Sequence, residues 1–468
     1  MIVMKFGGTS VEDAAAIERV GSIVKGRLRH RPAVVVSAMA RVTDQLQTMA
    51  RAASSGDLDS ALSLARSLGE RHREVAAGLL PPPRYEQFQA ELAHHFDQLD
   101  GLLRGIAAVG ELSPRTTDYV LSFGEVLCSA MVSAGFAAHG IASVLVDARE
   151  CIVTDGQHTR AVPQFEETNR RLQMILQPLL EDGRVPVMGG FIAATTEGVT
   201  STIGRGGSDF SAAIVGAALG AARIEIWTDV DGMKTTDPNL CPEARRLAEV
   251  SFDEAAEMAF FGAKVLHPAT VLPAMQSGIP VFVLNSRNPR SPGTCIRARA
   301  RRSKTQIKAI TAKKNVTIVT VKAERMLEPH GYLHDVFQVF KQHQVTVDTV
   351  STSEVSVSLT VDSKQDLSRV KADLGAIADV EIEPGKAIIC VIGDNLRGTP
   401  GTLARVFGAI ADVNVRMVSQ GASEINISFV IEEKDVPEAV RRLHRLLALP
   451  EEAKAEAVGQ TSAAMSEA

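Results

Sequence analysis

Short apolar runs punctuate the first part of the chain at residues 2–6, 33–37, 142–146, 185–188, 224–228 and 281–284. Each has the length of a strand buried on both faces, and between several of them lie alanine-rich stretches of helical pattern, as at 11–28 and 210–219. Strands alternating with helices predict an α/β domain with a largely parallel central sheet over residues 1–296. Residues 44–120 are mostly helical in pattern, interrupted at Pro81-Pro82-Pro83, and are expected to form an insertion or cap over the sheet edge.

After Arg302 the pattern changes and an internal repeat begins. Gly331, Leu333, Val336, Phe337, Val345, Ser353, Glu354 and Ser358 recur as Gly401, Leu403, Val406, Phe407, Val415, Ser423, Glu424 and Ser428, at an offset of 70 residues without a gap. Each copy reads as a helix starting near a glycine, followed by two strands. The second strand alternates in Val355, Val357 and Leu359, and again in Ile425, Ile427 and Phe429. So long a period indicates duplicated domains rather than a solenoid. The last residues, rich in Ala, Glu and Ser, are expected to be a flexible tail over 453–468.

Composition narrows the class. A chain of 468 residues is too long for one ordinary core, and 45% hydrophobic with 22% charged residues suits a globular protein. A net charge of -5 gives no reason to expect a nucleic-acid partner. The five cysteines form no CxxC pair, which argues against a disulfide framework or a structural zinc site, and no metal-ligating residues are predicted. With no signal-peptide pattern and no uninterrupted apolar run of membrane-spanning length, a cytoplasmic enzyme without a membrane partner is expected.

Five segments carry candidate chemistry. The first strand ends in Lys5-Phe6-Gly7-Gly8-Thr9-Ser10, which joins a charge, closely approachable backbone amides and hydroxyls, a combination suited to phosphate. Thr117-Asp118-Tyr119 precedes Ser122-Phe123-Gly124-Glu125, where Glu125 is expected near a helix start. Gly204-Arg205-Gly206-Gly207-Ser208-Asp209 introduces a helix beginning near Phe210, with Ser208 or Asp209 as the expected N-cap. There Arg205 can bind a carboxylate or phosphate through two parallel hydrogen bonds. A polar, turn-rich loop follows a strand at Thr228-Asp229-Val230-Asp231-Gly232 and runs on to Thr235-Thr236-Asp237-Pro238, a position where open α/β sheets bind ligands. Finally, Phe261-Gly262-Ala263-Lys264-Val265-Leu266-His267-Pro268 sets one lysine in an apolar stretch.

In this order, and ending in a duplicated module, these segments resemble the aspartokinases of the amino-acid kinase superfamily, in their monofunctional, lysine-sensitive form. The resemblance covers nearly the whole chain. It implies an amino-acid kinase catalytic domain over 1–296 and two ferredoxin-like ACT domains, one at 314–383 and a discontinuous one formed by 303–313 with 384–452. It also implies ATP-dependent phosphorylation of the L-aspartate side-chain carboxylate, with Mg2+ on the nucleotide phosphates, at the entry to lysine, threonine and methionine synthesis.

By the same motif matching, Lys5 would neutralise charge on the transferring phosphoryl group, and Asp209 would organise the reacting centre. Ser37, Thr43, Glu125, Phe191, Arg205 and Ser208 would surround aspartate. Phe6, Gly7 and Gly8, whose amides would meet phosphate, would bind ATP together with Thr228, Asp229 and Lys264. Lys234 and Asn239 stand where relatives often carry an aromatic residue and an arginine, so these two nucleotide contacts depart from the pattern. In the first repeat, Met326, Tyr332, Leu333, Val347, Asp348, Ser353 and Glu354 resemble a lysine effector site; threonine remains a second possible effector, and Pro329 falls within its loop. Association into a homodimer or higher oligomer through the ACT domains is implied as well. A noncatalytic amino-acid sensor and a glutamate-type amino-acid kinase are the competing readings, while a Rossmann dehydrogenase is disfavoured because no GxGxxG follows the first strand.

Overall fold

The computed structural model describes residues 1–262, 268–300, 306–322 and 331–447. It divides into two units, one formed by Met1–Met233, Ala248–Phe252 and Val265–Ala300, the other by Lys234–Leu247, Asp253–Lys264 and Arg301–Ala468.

The strands of the first unit are β1 (Ile2–Phe6), β2 (Pro32–Val36), β3 (Ser143–Val146), β4 (Val153–Thr154), β5 (Val185–Gly189), β6 (Ile192–Thr195), β7 (Thr200–Thr202), β8 (Ile224–Thr228), β9 (Glu249–Ser251), β10 (Val281–Asn285) and β11 (Thr294–Arg297). The helices before residue 300 are α1 (Ala14–Lys25), α2 (Val42–Ser54), α3 (Leu58–Leu79), α4 (Pro82–Val109), α5 (Pro114–Ala138), α6 (Ala148–Cys151), α7 (Phe165–Glu181), α8 (Gly207–Ala218), α9 (Phe252–Phe260) and α10 (Leu272–Gln276), of which α9 falls almost wholly in the second unit. Eight strands form one sheet in the order β3-β5-β2-β1-β8-β10-β11-β9, and all its pairs are parallel except β10 with β11. The apolar runs of β1 and β2 are buried on both faces, as strands flanked by helices must be. A smaller sheet, β4-β6-β7, stands beside it.

The helical region does not cap the sheet edge as expected. Leu46, Leu62, Leu68, Phe88, Leu99 and Leu103 share one core with Met4, Phe6, Val34 and Val36 of two central strands. The reason is the amphipathic stripe on α2 and α3, which needs an apolar partner and finds it on neighbouring helices, α4 and α5 for α2 and α1 and α4 for α3, while α5 in turn lies against β2, β3 and β5. The interruption at Pro81-Pro82-Pro83 falls between α3 and α4, where proline fits the first helical turn. Among the described residues α5 is long and apolar enough to cross a membrane, but 78% of its most apolar window is buried within the protein, as in a core helix.

The second unit contains β12 (Ile307–Lys322), α11 (Tyr332–Gln342), β13 (Val347–Thr352), β14 (Ser356–Asp362), α12 (Ser368–Gly375), β15 (Asp379–Gly393), α13 (Thr402–Ala409), β16 (Met417–Ser419), β17 (Asn426–Glu432) and α14 (Val436–Arg445). Its sheet runs β13-β14-β12-β15-β17-β16. The 70-residue repeat is visible as β14 and β17, and as α11 and α13, which follow Gly331 and Gly401 at φ 97° and 78°. Two long strands are shared between the copies. The first part of β12 pairs with the end of β15, whereas its second part pairs with β14 and the start of β15. The register shifts between Lys313 and Val316. Each copy has its own core, one around Val336, Phe340 and Leu359, the other around Val406, Ile427 and Phe429.

Candidate active site

Parallel strands carry their carboxyl ends to one side of a sheet, and loops leaving those ends converge there. Beyond the ends of β1, β2 and β5 lies a cavity of about 400 Å³. Nine of the residues singled out in the sequence line it: Lys5, Gly8, Ser37, Thr43, Glu125, Phe191, Arg205, Ser208 and Asp209.

Lys5 sits near the end of β1 with its ammonium 2.7 Å from Asp209 Oδ1, in the first turn of α8. Both groups are largely buried, so the pair places a held positive charge at the cavity floor. Lys5 thus retains hydrogens to offer an anion while Asp209 fixes its position.

The glycine pair is not used symmetrically. Gly7 N–H already donates to the Trp227 carbonyl at 3.0 Å, tying β1 to β8, so the expectation that both glycine amides meet phosphate is corrected. Gly8 is required for close approach instead: a Cβ there would lie 2.8 Å from the Ala38 carbonyl oxygen and 3.2 Å from Ala40 N. Its own carbonyl accepts Ala40 N–H at 3.1 Å, which binds the β1 loop to the turn after β2. Phe6 has its ring buried against Trp227, with centroids 6.0 Å apart, and its carbonyl accepts Ser37 N–H.

Glu125 is not a first-turn acid. Ser113 caps α5 and Pro114 opens it, so Glu125 lies well inside the helix, three turns beyond its start, and the helix dipole has no role there. The carboxyl group is 3% exposed. One oxygen accepts Ala38 N–H at 3.1 Å, and the other is buried without a partner. Burial raises the group's pKa to about 8, only partly opposed by the Ala38 hydrogen bond and by Lys5. An orphaned acceptor in a cavity wall is suited to a cationic hydrogen-bond donor.

The turn before α8 likewise departs from expectation. The helix starts at Gly207, and its N-cap is Gly206 at φ 76°, not Ser208 or Asp209. Only glycine enters this left-handed conformation at little cost, and it frees Ser208 and Asp209 to face the cavity from the first turn. Arg205 is exposed at the mouth. Phe191 holds a non-glycine left-handed backbone, φ 65°, pinned by a bond from its N–H to Ser211 Oγ at 3.0 Å.

Sequence reasoning missed Arg41 and Asp44, which also line the cavity. Arg41 has φ 70° at the N-cap of α2. The end of the apolar run at Ser37, followed by the charged Arg41, was the available signal for a turn at a strand end.

Other predicted residues lie elsewhere. Thr228 and Asp229, at the end of β8, bond to each other at 3.1 Å and do not line this cavity. Lys234 and Asn239 belong to the second unit, where Asn239 N–H donates to Asp237 Oδ1. Lys264 and Met326 lie outside the described residues. In the first repeat Tyr332 and Leu333 open α11, and Val347 and Asp348 open β13. Asp348 is paired with Lys313, Nζ to Oδ2 2.5 Å, and its side chain is 5% exposed. Ser353 Oγ lies 2.8 Å from Ser356 Oγ, and Glu354 is exposed.

The model of the amino acid kinase family matches residues 1–285, and that of an ACT domain matches 389–447. Lysine-sensitive aspartokinase 3 of Escherichia coli is 35% identical over 457 residues, covering 95% of this chain and 98% of the relative. This chain belongs to the aspartokinases of the amino acid kinase family. A chloroplastic aspartokinase 1 of Arabidopsis thaliana is 36% identical over 458 residues, covering 95% of this chain and 79% of the relative. Among solved aspartokinases, E. coli aspartokinase III in complex with aspartate and ADP superposes with a TM-score of 0.83 at 34% identity, over 96% of this chain and 99% of the other. The same aspartokinase in complex with lysine and aspartate gives 0.82, again at 34% identity and the same coverage.

Proposed function

We propose that the cavity binds L-aspartate and that the chain transfers the γ-phosphoryl group of ATP to its side-chain carboxylate. One observation carries the reading: a buried carboxyl with an orphaned oxygen, Glu125, shares a cavity with the cations Arg205 and Lys5. An amino acid bearing two carboxylates has the complementary pattern. Its ammonium meets Glu125, one carboxylate pairs with Arg205, and the other is presented toward Lys5. An oxygen of that carboxylate attacks the γ-phosphorus while the bond to the ADP oxygen breaks, yielding 4-phospho-L-aspartate and ADP. The nucleophile is already ionised, so no general base is needed, and catalysis rests on position and charge. Lys5 supplies positive charge where the phosphoryl oxygens crowd the incoming carboxylate. Gly8, Thr228, Asp229 and Lys264 are assigned to the nucleotide.

Among the described residues no group of three or more His, Cys, Asp or Glu could hold a metal ion by itself. Mg2+ is assigned to the nucleotide, since this ion is commonly bound through substrate phosphates, where it neutralises charge. Free cysteines, four of them buried, suit a cytoplasmic enzyme.

We assign residues 1–296 to the catalytic domain and the shared-strand sheet to two ACT modules, with association of copies through those modules. L-lysine is the effector we favour, held by Asp348 and Glu354. Because Asp348 is occupied by Lys313, a cationic effector has to displace that lysine. The deciding experiment measures ATP turnover with L-aspartate, L-glutamate or no acceptor, each with and without L-lysine and L-threonine. Aspartate-dependent turnover suppressed by lysine is expected. Absence of aspartate-dependent turnover would overturn the kinase reading in favour of a sensor, and suppression by threonine alone would overturn the effector assignment.

A further inference from the structure

Asp118 is a fully buried carboxylate that contributes nothing to the cavity wall. It lies seven residues before Glu125 on α5, two helical turns away and therefore on the same face. Four hydrogen bonds converge on it. Thr202 Oγ1–H donates to Oδ1 at 2.6 Å, and Thr159 N–H lies 3.1 and 3.0 Å from the two oxygens. His158 Nδ1 is 2.8 Å from Oδ2 and must carry the proton, because an ionised carboxylate only accepts.

These donors come from the two segments that flank the arginine turn. Thr202 ends β7, three residues before Arg205. Thr159 holds φ 70°, a left-handed conformation that a threonine adopts only when its surroundings impose it. Its carbonyl oxygen lies 3.6 Å from where a Cβ on Gly204 would stand, so the 158–160 loop packs directly against the residue before Arg205. Ala161 N–H donates to the Thr202 carbonyl at 3.0 Å, closing the loop onto β7. On the other side, Ile203 N–H donates to the Phe191 carbonyl at 3.0 Å.

We infer that Asp118 is a positioning residue: it clamps β7 and the 158–160 loop to α5 and thereby fixes the Arg205 turn relative to Glu125 on the same helix. The groups assigned to the substrate's ammonium and to its α-carboxylate are set at their spacing by one helix. This inference rests on the proposed aspartate site. It makes a demand that general stabilisation does not, namely that loss of the carboxylate weakens the acceptor site while sparing the nucleotide.

Asp118→Asn keeps the shape but turns an amide N–H₂ toward donors, so at least one of the converging bonds becomes donor against donor. The expected result is a KM for aspartate raised by about tenfold or more, as small misplacements of binding groups produce, with the KM for ATP changed less than about twofold. The decisive readout is a double-mutant cycle with Arg205→Ala. If Asp118 acts through Arg205, Asp118→Asn has little further effect on aspartate KM once the arginine is gone. Multiplicative effects of the two substitutions, or equal rises in both KM values, would overturn the inference. Thr202→Val, which removes one donor without introducing a polar clash, serves in the same cycle should the asparagine variant fail to fold. The unmodified chain separates the two levels of the argument: if it lacks aspartate-dependent turnover, the parent reading falls and this one with it, whereas turnover with a multiplicative cycle sinks only the role of Asp118.

Discussion

The protonation of Glu125 should set the pH dependence of aspartate binding. In the free protein burial raises its pKa to about 8, so at pH 7 only about a tenth of the molecules carry the charge that a substrate ammonium requires. Binding must then supply the cost of ionisation, about 1.4 kcal/mol at pH 7, falling by the same amount for each unit of pH gained below the pKa. The aspartate ammonium keeps its proton throughout this range and does not confuse the slope. With ATP saturating, kcat/KM for aspartate should therefore rise about tenfold per pH unit from about pH 6 to 8 and then level. Glu125→Gln should lower kcat/KM and abolish the rising limb, since a neutral amide has no proton to lose. Stability moves in the opposite direction. The folded pKa lies above the ordinary value of 4.5, so the group costs nothing below that pH, and the cost grows as pH rises toward 8. The glutamine variant should accordingly gain in Tm relative to the unmodified chain between pH 5 and 8. The assay is a coupled measurement of ADP release at fixed ionic strength. A flat profile in the unmodified chain, or the same rising limb in Glu125→Gln, would refute the reasoning.

The two glycines after Phe6 should respond differently to alanine. Gly8→Ala forces a methyl group against the Ala38 carbonyl and should cut kcat/KM by about a hundredfold, whereas at Gly7 the nearest atoms lie 3.6 Å away and the loss should stay within about tenfold; equal losses in steady-state assays would count against the close-approach argument. Lys308 is buried between Glu254 and Asp394, at 2.6 and 3.1 Å. Its replacement by alanine should destabilise the second unit by about 3 to 5 kcal/mol, measured by urea unfolding, and a change below about 1 kcal/mol would contradict a buried ion cluster. Lys313→Met releases Asp348 and should lower the half-inhibitory lysine concentration by about fivefold. Unchanged or weakened inhibition in a titration of the full chain would show that Lys313 does not compete with the effector.

Several features were legible without coordinates because they depend on local rules. The apolar runs of β1, β2, β5, β8 and β10 announced a parallel sheet, since strands covered on both faces are apolar at successive positions rather than alternating. The repeat between Gly331 and Gly401 announced duplicated modules, and its spacing reappears unchanged in β14 and β17. Residue chemistry likewise picked out Lys5, Glu125, Arg205 and Asp209, which share one cavity though they are distant in sequence.

Other features depended on atoms brought together from far along the chain, and no local pattern encodes those. The Gly7 amide was committed to Trp227, more than two hundred residues away, which left Gly8 as the residue of close approach. Glu125 reads locally as an acid near a helix start because the Gly124 before it resembles a helix boundary, whereas α5 is capped at Ser113 and opened by Pro114 three turns earlier. Its raised pKa follows from complete burial, a property of packing rather than of the neighbouring sequence. The convergence of His158, Thr159 and Thr202 on Asp118 is of the same kind. Sequence alone determined which chemical groups this aspartokinase possesses and which elements carry them. Tertiary structure decided which groups are desolvated, already partnered or left with an unmet bond, because those properties belong to a three-dimensional neighbourhood.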